Sequence, residues 1–231
     1  MPQEIFIQDH LPHNVIVLSS PIEISTPKTN NMQIYQYGKA EVDHLKSCDK
    51  KLGRAIDRIG MIERQVMPDL FKALVHSIVA QEISSKAAAT VWGRLCGNFL
   101  DITPDKVASA DVAEIQQCGL SMRKARYIKG ISEAVISGDL DLLELSEMPD
   151  KGVIEKLSSL PGIGVWTAEM LLIFSLCRPD VVSWGDLAIR RGMMNLYGLK
   201  EISKNQFDRF RKRYSPCGSV ASLYLWALSA K

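Results

Sequence analysis

One acidic residue in the last quarter of the chain has a position and neighbours that suit catalysis. Asp186 follows Trp184 and Gly185 and precedes residues 187–196, which have helical periodicity. In the first turn of a helix, the backbone dipole favours the ionised form of a carboxyl group. A carboxylate beside a sugar ring can stabilise developing positive charge or activate a water molecule. An acid at this position often only caps the helix, so position alone leaves both roles open.

A second stretch has the composition of a phosphate-binding turn. Residues 157–169 read LSSLPGIGVWTAE, and they place Gly162 and Gly164 between two predicted helices. Glycine allows the backbone to approach a ligand closely, and the first N–H groups of a helix attract anions. An isolated Gly-x-Gly is usually an ordinary turn, but the longer pattern is much more specific. It predicts a turn that holds phosphate without reading the base sequence.

These two stretches together resemble the helix-hairpin-helix DNA glycosylases. The hairpin of that family carries LPG(I/V)G-x-x-TA and is followed by the catalytic aspartate, and Asp186 lies 22 positions after Gly164. The sequence DLAIRRG at residues 186–192 is similar to the corresponding motif of the alkylbase branch, 3-methyladenine DNA glycosylase II. Residues 73–84, 119–128 and 219–226 match the same family in the same order. The resemblance spans about residues 45–230.

The resemblance implies hydrolysis of the N-glycosidic bond of alkylated purines, such as 3-methyladenine and 7-methylguanine, in duplex DNA. Asp186 is then the catalytic residue. In the branch that forms a Schiff base and cleaves the strand, a lysine stands where this chain has Trp166. Tryptophan cannot form an imine, so we expect water to be the nucleophile and the enzyme to be monofunctional. Two alternatives stay open: the same fold acting on uracil or an oxidised base, and a non-catalytic DNA-binding module.

An aromatic pocket suits a methylated purine, because methylation at N3 or N7 makes the base cationic and a tryptophan face attracts cations. The resemblance places Trp166 and Trp226 in the pocket, and Trp184 is close to Asp186 in the chain. For any one of these tryptophans, a buried position in the core is the alternative interpretation. Met170 stands where a close relative has tyrosine, which leaves base selectivity open. His76 is a further candidate, either for the pocket or for the core.

The predicted DNA contacts fall into three groups. The first group, in the hairpin, is Gly162, Ile163, Gly164 and Thr167. The second group, at the end of the matching stretch 73–84, is Gln81, Glu82 and Ser84. The third group is the cations Arg123, Lys124, Arg190 and Arg191. The resemblance places the side chain that fills the gap left by a flipped base just after Gln81, at Glu82. A carboxylate suits that role poorly, so Glu82 points elsewhere or another residue, such as Met122, fills the gap.

The resemblance implies no required cofactor. The family hairpin often holds a monovalent cation, Na⁺ or K⁺, through backbone carbonyls, which here are those of Ser158, Leu160 and Ile163. The five cysteines are at least 22 positions apart, which excludes the clustered spacing of an iron–sulfur cluster or a zinc site. We therefore expect no iron–sulfur cluster.

Start and stop signals after residue 40 predict an all-α body of about ten helices. Among them are a helix ending at Gly60 and one stopping at Gly93 or Gly97. Residues 1–40 contain short β-prone runs separated by prolines, which predict an extended or small β arm. We divide residues 41–231 into a hairpin-bearing subdomain (65–175) and a second helical subdomain (41–64 plus 176–231), with Asp186 in the cleft between them.

Composition limits the class of protein. The hydrophobic fraction of 46% and charged fraction of 23% are typical of a globular chain. No apolar run approaches the roughly 20 residues of a membrane helix, and residues 1–14 lack the pattern of a secretion signal. We expect an intracellular monomer with no membrane partner. From Asp186 onward there are nine Lys and Arg against three Asp and Glu, and this basic segment favours a polyanionic partner.

Overall fold

The computed structural model describes residues 33–230, which form thirteen α-helices joined by short connections. The helices are α1 (Lys39–Cys48), α2 (Lys50–Ile59), α3 (Leu70–Ala80), α4 (Ser85–Phe99), α5 (Pro104–Ser109), α6 (Val112–Gln117), α7 (Met122–Ser137), α8 (Leu142–Glu147), α9 (Asp150–Ser158), α10 (Val165–Phe174), α11 (Leu187–Tyr197), α12 (Lys204–Tyr214) and α13 (Gly218–Ser229). The prediction of an all-α body is confirmed. Across the described helices, none has both the length and the apolar character that crossing a membrane requires.

The predicted N-terminal arm is described only at its end, since residues 1–32 lie outside the described part of the chain. Ile34 forms an isolated antiparallel bridge with Gln65. The backbone N–H of Tyr35 donates to the Arg64 carbonyl at 2.7 Å, and the Tyr35 side chain is buried. The end of the arm is therefore extended, and it packs against the loop between α2 and α3.

Several helix boundaries differ from the predicted ones. The helix predicted to end at Gly60 is two helices, because Asp49 interrupts it and accepts hydrogen bonds from the backbone of Lys51 and Leu52. The predicted stop at Gly93 or Gly97 is wrong, since α4 continues to Phe99. A glycine inside a helix costs only about 1 kcal/mol, and burial of Leu95 and Phe99 offsets that cost.

The helices pack in two sets. One set links α3 to α4, α7 and α10, α7 to α5 and α6, and α9 to α10, while the other links α1, α2, α11, α12 and α13. The most extensive pairing is that of α11 with α13. It depends on Gly192, because a Cβ there would lie 1.9 Å from the Leu225 carbonyl oxygen. The helix that Asp186 begins is therefore in backbone contact with α13.

Candidate active site

The hairpin consists of α9, a turn over residues 159–164, and α10. Gly162 has a φ of +89°, which favours glycine, and a Cβ there would lie 2.5 Å from Cδ2 of Tyr127. Gly164 is the N-cap of α10 and has open space where a Cβ would stand. The two glycines thus differ in role. Gly162 is required by the turn and its packing, whereas Gly164 leaves the N-terminus of α10 accessible to a ligand.

Two predicted DNA contacts in the hairpin have buried side chains. Ile163 and Thr167 are 4% and 6% exposed, so these side chains support the turn from inside and any contact with DNA is through their backbone. The Ile163 N–H donates to the Leu160 carbonyl at 3.1 Å. A carbonyl oxygen has a second lone pair, so this bond is compatible with the cation predicted at Ser158, Leu160 and Ile163.

Two side chains link the hairpin, the end of α3 and the start of α7. Gln81, the C-cap of α3, donates from Nε2 to the Gly162 carbonyl at 2.7 Å. Lys124, near the start of α7, donates from Nζ to the carbonyls of Val79 and Gln81. The hairpin, the end of α3 and the start of α7 are therefore joined in one hydrogen-bonded unit.

The structure corrects the sequence prediction that Lys124 is a phosphate-binding cation. Its side chain is expected from the sequence to bind phosphate, but the residue is only 7% exposed and its ammonium group is held by backbone carbonyls at the end of α3. Burial lowers the pKa of the ammonium group. The sequence places Lys124 among exposed cations because periodicity alone does not show that the α3 C-terminus lies against α7.

The turn after α3 carries Glu82, which has a φ of 59°. Its exposed carboxylate forms an ion pair with Arg123 at 3.5 Å. Ile83 and Met122, the adjacent apolar residues, are 40% and 38% exposed. Ser84, predicted as a DNA contact, caps α4 by accepting from the Ala87 N–H at 3.3 Å.

Asp186 is buried, at 3% exposed, and both of its carboxylate oxygens have donors. Oδ1 accepts from the Ile189 N–H at 2.8 Å, which caps α11. Oδ2 accepts from Nε1 of Trp166, in the first turn of α10, at 2.9 Å. Capping therefore uses only Oδ1, and Oδ2 is directed to α10. The hairpin helix therefore contacts Asp186 directly.

Sequence reasoning missed Glu169, which lies one turn after Trp166 on α10. Its carboxylate accepts a short hydrogen bond from the hydroxyl of Ser183, which is fully buried. Burial and the nearby charge of Asp186 raise the pKa of Glu169, against the opposing effects of Ser183 and of two cations, Arg211 and Lys204. The spacing of three residues from Trp166 was the available signal, because it puts both side chains on one helix face.

The predicted pocket residues differ in their surroundings. Trp226 is 5% exposed, is stacked on Phe174 with ring centroids 5.5 Å apart, and has an indole N–H without an acceptor among the described residues. Met170, on α10, is also buried. Trp166 is half-buried. Of these three residues, Trp166 is the one that combines exposed surface with a direct contact to Asp186.

Two other pocket candidates are engaged elsewhere. The guanidinium of Arg190 lies 4.7 Å from the Trp184 ring centroid and the Lys204 ammonium lies 5.7 Å from it. A ring already in contact with cations is a poor surface for a cationic base, so this arrangement argues against the predicted role of Trp184. His76 packs edge-on against Trp92, with ring centroids 4.9 Å apart, and burial lowers the pKa of its imidazole to about 4. These surroundings favour the core position over the pocket for His76.

The two arginines after Asp186 are not equivalent. Arg190 stacks on Trp184 and its buried Nε has no hydrogen-bond partner among the described residues, so it is not a free surface cation as the sequence predicted. Arg191 is exposed. Of the four predicted phosphate-binding cations, Arg123 and Arg191 thus remain at the surface.

A helix-hairpin-helix whose second helix holds a buried carboxylate defines a DNA-binding protein with a candidate catalytic acid. The chain belongs to the HhH-GPD superfamily of base excision DNA repair proteins, which matches residues 75–216. It is 33% identical over 199 residues to DNA-3-methyladenine glycosylase 1 of Schizosaccharomyces pombe, covering 83% of this chain and 87% of that protein.

Solved structures of similar proteins support the same family assignment. The crystal structure of a DNA-3-methyladenine glycosidase from Bacillus halodurans has a TM-score of 0.77 and 36% identity, covering 87% of this chain and 94% of the other. The structure of an S. pombe 3-methyladenine DNA glycosylase in complex with abasic DNA has a TM-score of 0.69 and 31% identity, and the match covers 81% of this chain and 95% of the other. The predicted family and fold, including the hairpin, are therefore confirmed.

Proposed function

We propose that this protein is a DNA glycosylase that releases alkylated purines from duplex DNA by hydrolysis. The observation that carries the proposal is the direct bond from Trp166 to Asp186, which places a buried carboxylate beside the helix that starts at the hairpin. The backbone groups at that helix N-terminus suit phosphate binding. Similarity to glycosylases named for 3-methyladenine supports an alkylated purine as the base removed.

In the proposed mechanism, Asp186 acts as a carboxylate. As the glycosidic bond lengthens, positive charge develops on the deoxyribose, and a fixed negative group stabilises that charge. The electron pair of the broken bond leaves with the cationic purine, which becomes a neutral free base. Water adds to the sugar carbon and gives up one proton to Asp186 or to solvent, which leaves an abasic site. Methylation makes the purine a better leaving group, so modest electrostatic assistance is enough.

The proposed base pocket is built from Trp166, Met170 and Trp226. The indole faces attract a cationic purine. The unpartnered, buried N–H of Trp226 offers a donor that a base acceptor would satisfy, which removes the cost of leaving it unpaired. Reaching this pocket requires the base to be flipped out of the helix.

Affinity for DNA is proposed to come from the hairpin backbone, with Gly164 at the contact and Arg123 and Arg191 on the phosphates. Because Glu82 is paired with Arg123, we propose that Ile83 or Met122, which are both exposed, fills the space left by the flipped base. When bound, a monovalent cation held by the carbonyls of Ser158, Leu160 and Ile163 would add positive charge beside the phosphate.

We propose that the two helix sets act as subdomains (65–175, and 41–64 with 176–231) that bind DNA across a cleft as a monomer, in the compartment that holds the cell's DNA. No cofactor is required by this mechanism. Sedimentation of the protein with and without a duplex tests the stoichiometry. A protein dimer on one lesion site would contradict the monomer.

Incubation with methylated duplex DNA, followed by mass spectrometry of the released bases, tests the activity. We expect 3-methyladenine and 7-methylguanine, with much less release from duplexes containing uracil or 8-oxoguanine. Preferential release of uracil or 8-oxoguanine would identify another base, and release from none of the duplexes would favour a non-catalytic module.

The absence of strand cleavage is tested on the same duplexes. We expect an intact strand that breaks only after heat or alkali, and no covalent protein–DNA species after borohydride reduction, because Trp166 stands where a Schiff-base lysine would be. A trapped adduct would contradict the monofunctional assignment.

A further inference from the structure

The chain segment that leads to Asp186 is held from two sides. On one side, Ser219 of α13 accepts from the Val181 N–H at 3.0 Å, and Ser222 donates to the Val181 carbonyl at 2.9 Å. On the other side, α10 contributes two side chains. One is Trp166, which bonds to Asp186, and the other is Glu169, which bonds to Ser183.

The two bonds from α10 act on both ends of one short turn. Trp166 and Glu169 are separated by three residues on the helix, and Ser183 and Asp186 are separated by three residues in the segment. Between them lies Gly185, which is exposed, and a Cβ built there would lie at an ordinary contact distance, 3.6 Å, from Ser183 Oγ and from Trp166 Cβ. A glycine turn has high conformational freedom, and fixing it requires contacts at its ends.

Glu169 accepts a hydrogen bond from the Ser183 hydroxyl, and among the described residues no hydrogen bond joins it to Asp186. Half-burial of the Glu169 carboxyl group beside Asp186 costs free energy, and the hydrogen bond from Ser183 offsets part of that cost. The charged groups around it are Asp186, Lys204 and Arg211. Glu169 can therefore influence Asp186 in two ways, through its charge and through the bond to Ser183, and glutamine at this position removes the first while keeping the second.

We propose that Glu169 is a positioning residue for the reaction. By accepting the Ser183 hydroxyl, it fixes the turn of residues 183–186 against α10 and so holds the Asp186 carboxylate at the geometry that the Trp166 indole also fixes. The inference rests on the proposed function, because positioning matters only if Asp186 acts in catalysis. A displacement of about 1 Å at a catalytic group can cost up to roughly a hundredfold in rate.

The test compares Glu169→Ala with Glu169→Gln. Glutamine keeps a carbonyl oxygen that accepts from Ser183, whereas alanine removes the acceptor. The exposed Glu133→Ala, on α7, is the control for loss of a glutamate. Single-turnover base release and affinity for abasic-site DNA are measured for each variant, with the urea midpoint of unfolding.

We expect Glu169→Ala to release base about tenfold more slowly. Glu169→Gln should stay within about twofold of the wild type, and affinity for abasic-site DNA should be unchanged in both. Equal slowing in both variants, or no slowing in Glu169→Ala, would overturn the proposal. If Glu169→Ala does not fold, Ser183→Ala removes the same bond from the other partner, and it should show the same slowing; unchanged release would overturn the proposal.

A second readout separates this inference from the proposed function. Hydrogen exchange of the Trp166 indole N–H, assigned in the NMR spectrum by Trp166→Phe, reports whether the bond to Asp186 persists. Faster exchange in Glu169→Ala but not in Glu169→Gln supports positioning even if the wild-type protein releases no base, in which case only the proposed function fails. Unchanged exchange in both variants would overturn the positioning role.

Discussion

The hairpin turn and the Asp186 turn meet on the first residues of α10, but they are built differently. The hairpin takes its shape from the backbone, through the positive φ of Gly162, and from outside it Gln81 bonds to this glycine and Tyr127 packs on it. The Asp186 turn takes its shape from side chains, through Trp166 and Glu169. Phosphate binding needs main-chain groups, which substitutions leave in place, whereas chemistry depends on individual side chains that can be exchanged. Side-chain substitutions should therefore affect the Asp186 turn more than the hairpin turn.

The largest effect is expected at the Asp186 turn itself. Asp186→Asn removes the charge that the transition state requires, and base release should fall by about 10²–10³-fold or more. Affinity for abasic-site DNA should remain, since the hairpin is untouched. Asparagine is also a good N-cap, so α11 should persist, but its NH2 group then faces the Trp166 indole N–H and the urea midpoint should fall moderately. Near-normal single-turnover release by a folded Asp186→Asn protein would remove Asp186 from the mechanism.

A change in the hairpin backbone should act first on stability. Gly162→Ala forces alanine to a positive φ and places a Cβ against Tyr127, and the free energy of unfolding should fall by about 2–4 kcal/mol. Gly97→Ala is the control, because Gly97 lies in α4 with open space around it. Urea unfolding measures both. If Gly162→Ala were as stable as Gly97→Ala, the turn would not be constrained as described.

A side-chain change next to Asp186 should separate chemistry from binding. Trp166→Phe keeps an aromatic ring but removes the hydrogen bond to the carboxylate, which is worth about 1.5–3 kcal/mol for a charged acceptor. Base release should slow about 10–100-fold while affinity for undamaged duplex is unchanged. An equal loss of rate and of affinity would show that Trp166 belongs to the hairpin rather than to the Asp186 turn.

The smallest effect is expected at the hairpin position that has open space. Gly164→Ala has an acceptable φ and no clash in the protein, but its methyl group stands where phosphate would approach the start of α10. Affinity should fall by about threefold to tenfold, equally for damaged and undamaged duplexes, because the contact is to the DNA backbone. Fluorescence anisotropy with both duplexes measures this, with Gly97→Ala as control. Loss for damaged DNA alone would contradict a backbone contact.

Local patterns predicted the hairpin and the helices well, because capping residues, glycines and periodicity act within a few positions of the chain. Contacts between distant residues could not be predicted in that way. Lys124 is read as a surface cation until the end of α3 is placed against α7, and Glu169 is an ordinary polar residue until Ser183 is placed beside it. Trp184 and Arg190 were assigned separate roles, although they stack on each other. The catalytic role of Asp186 stays a prediction.

The close approach at Gly192 has a consequence for redesign of the enzyme. Because α11 meets the Leu225 backbone there, main-chain contact fixes the spacing between α11 and α13 without any pocket side chain. A library that varies Met170 and Trp226, the residues proposed for the base pocket, can therefore be built on an unchanged α11–α13 spacing. Selection for altered damaged-base preference should begin at those two positions and leave Gly192 constant, since most of its substitutions would separate the helices.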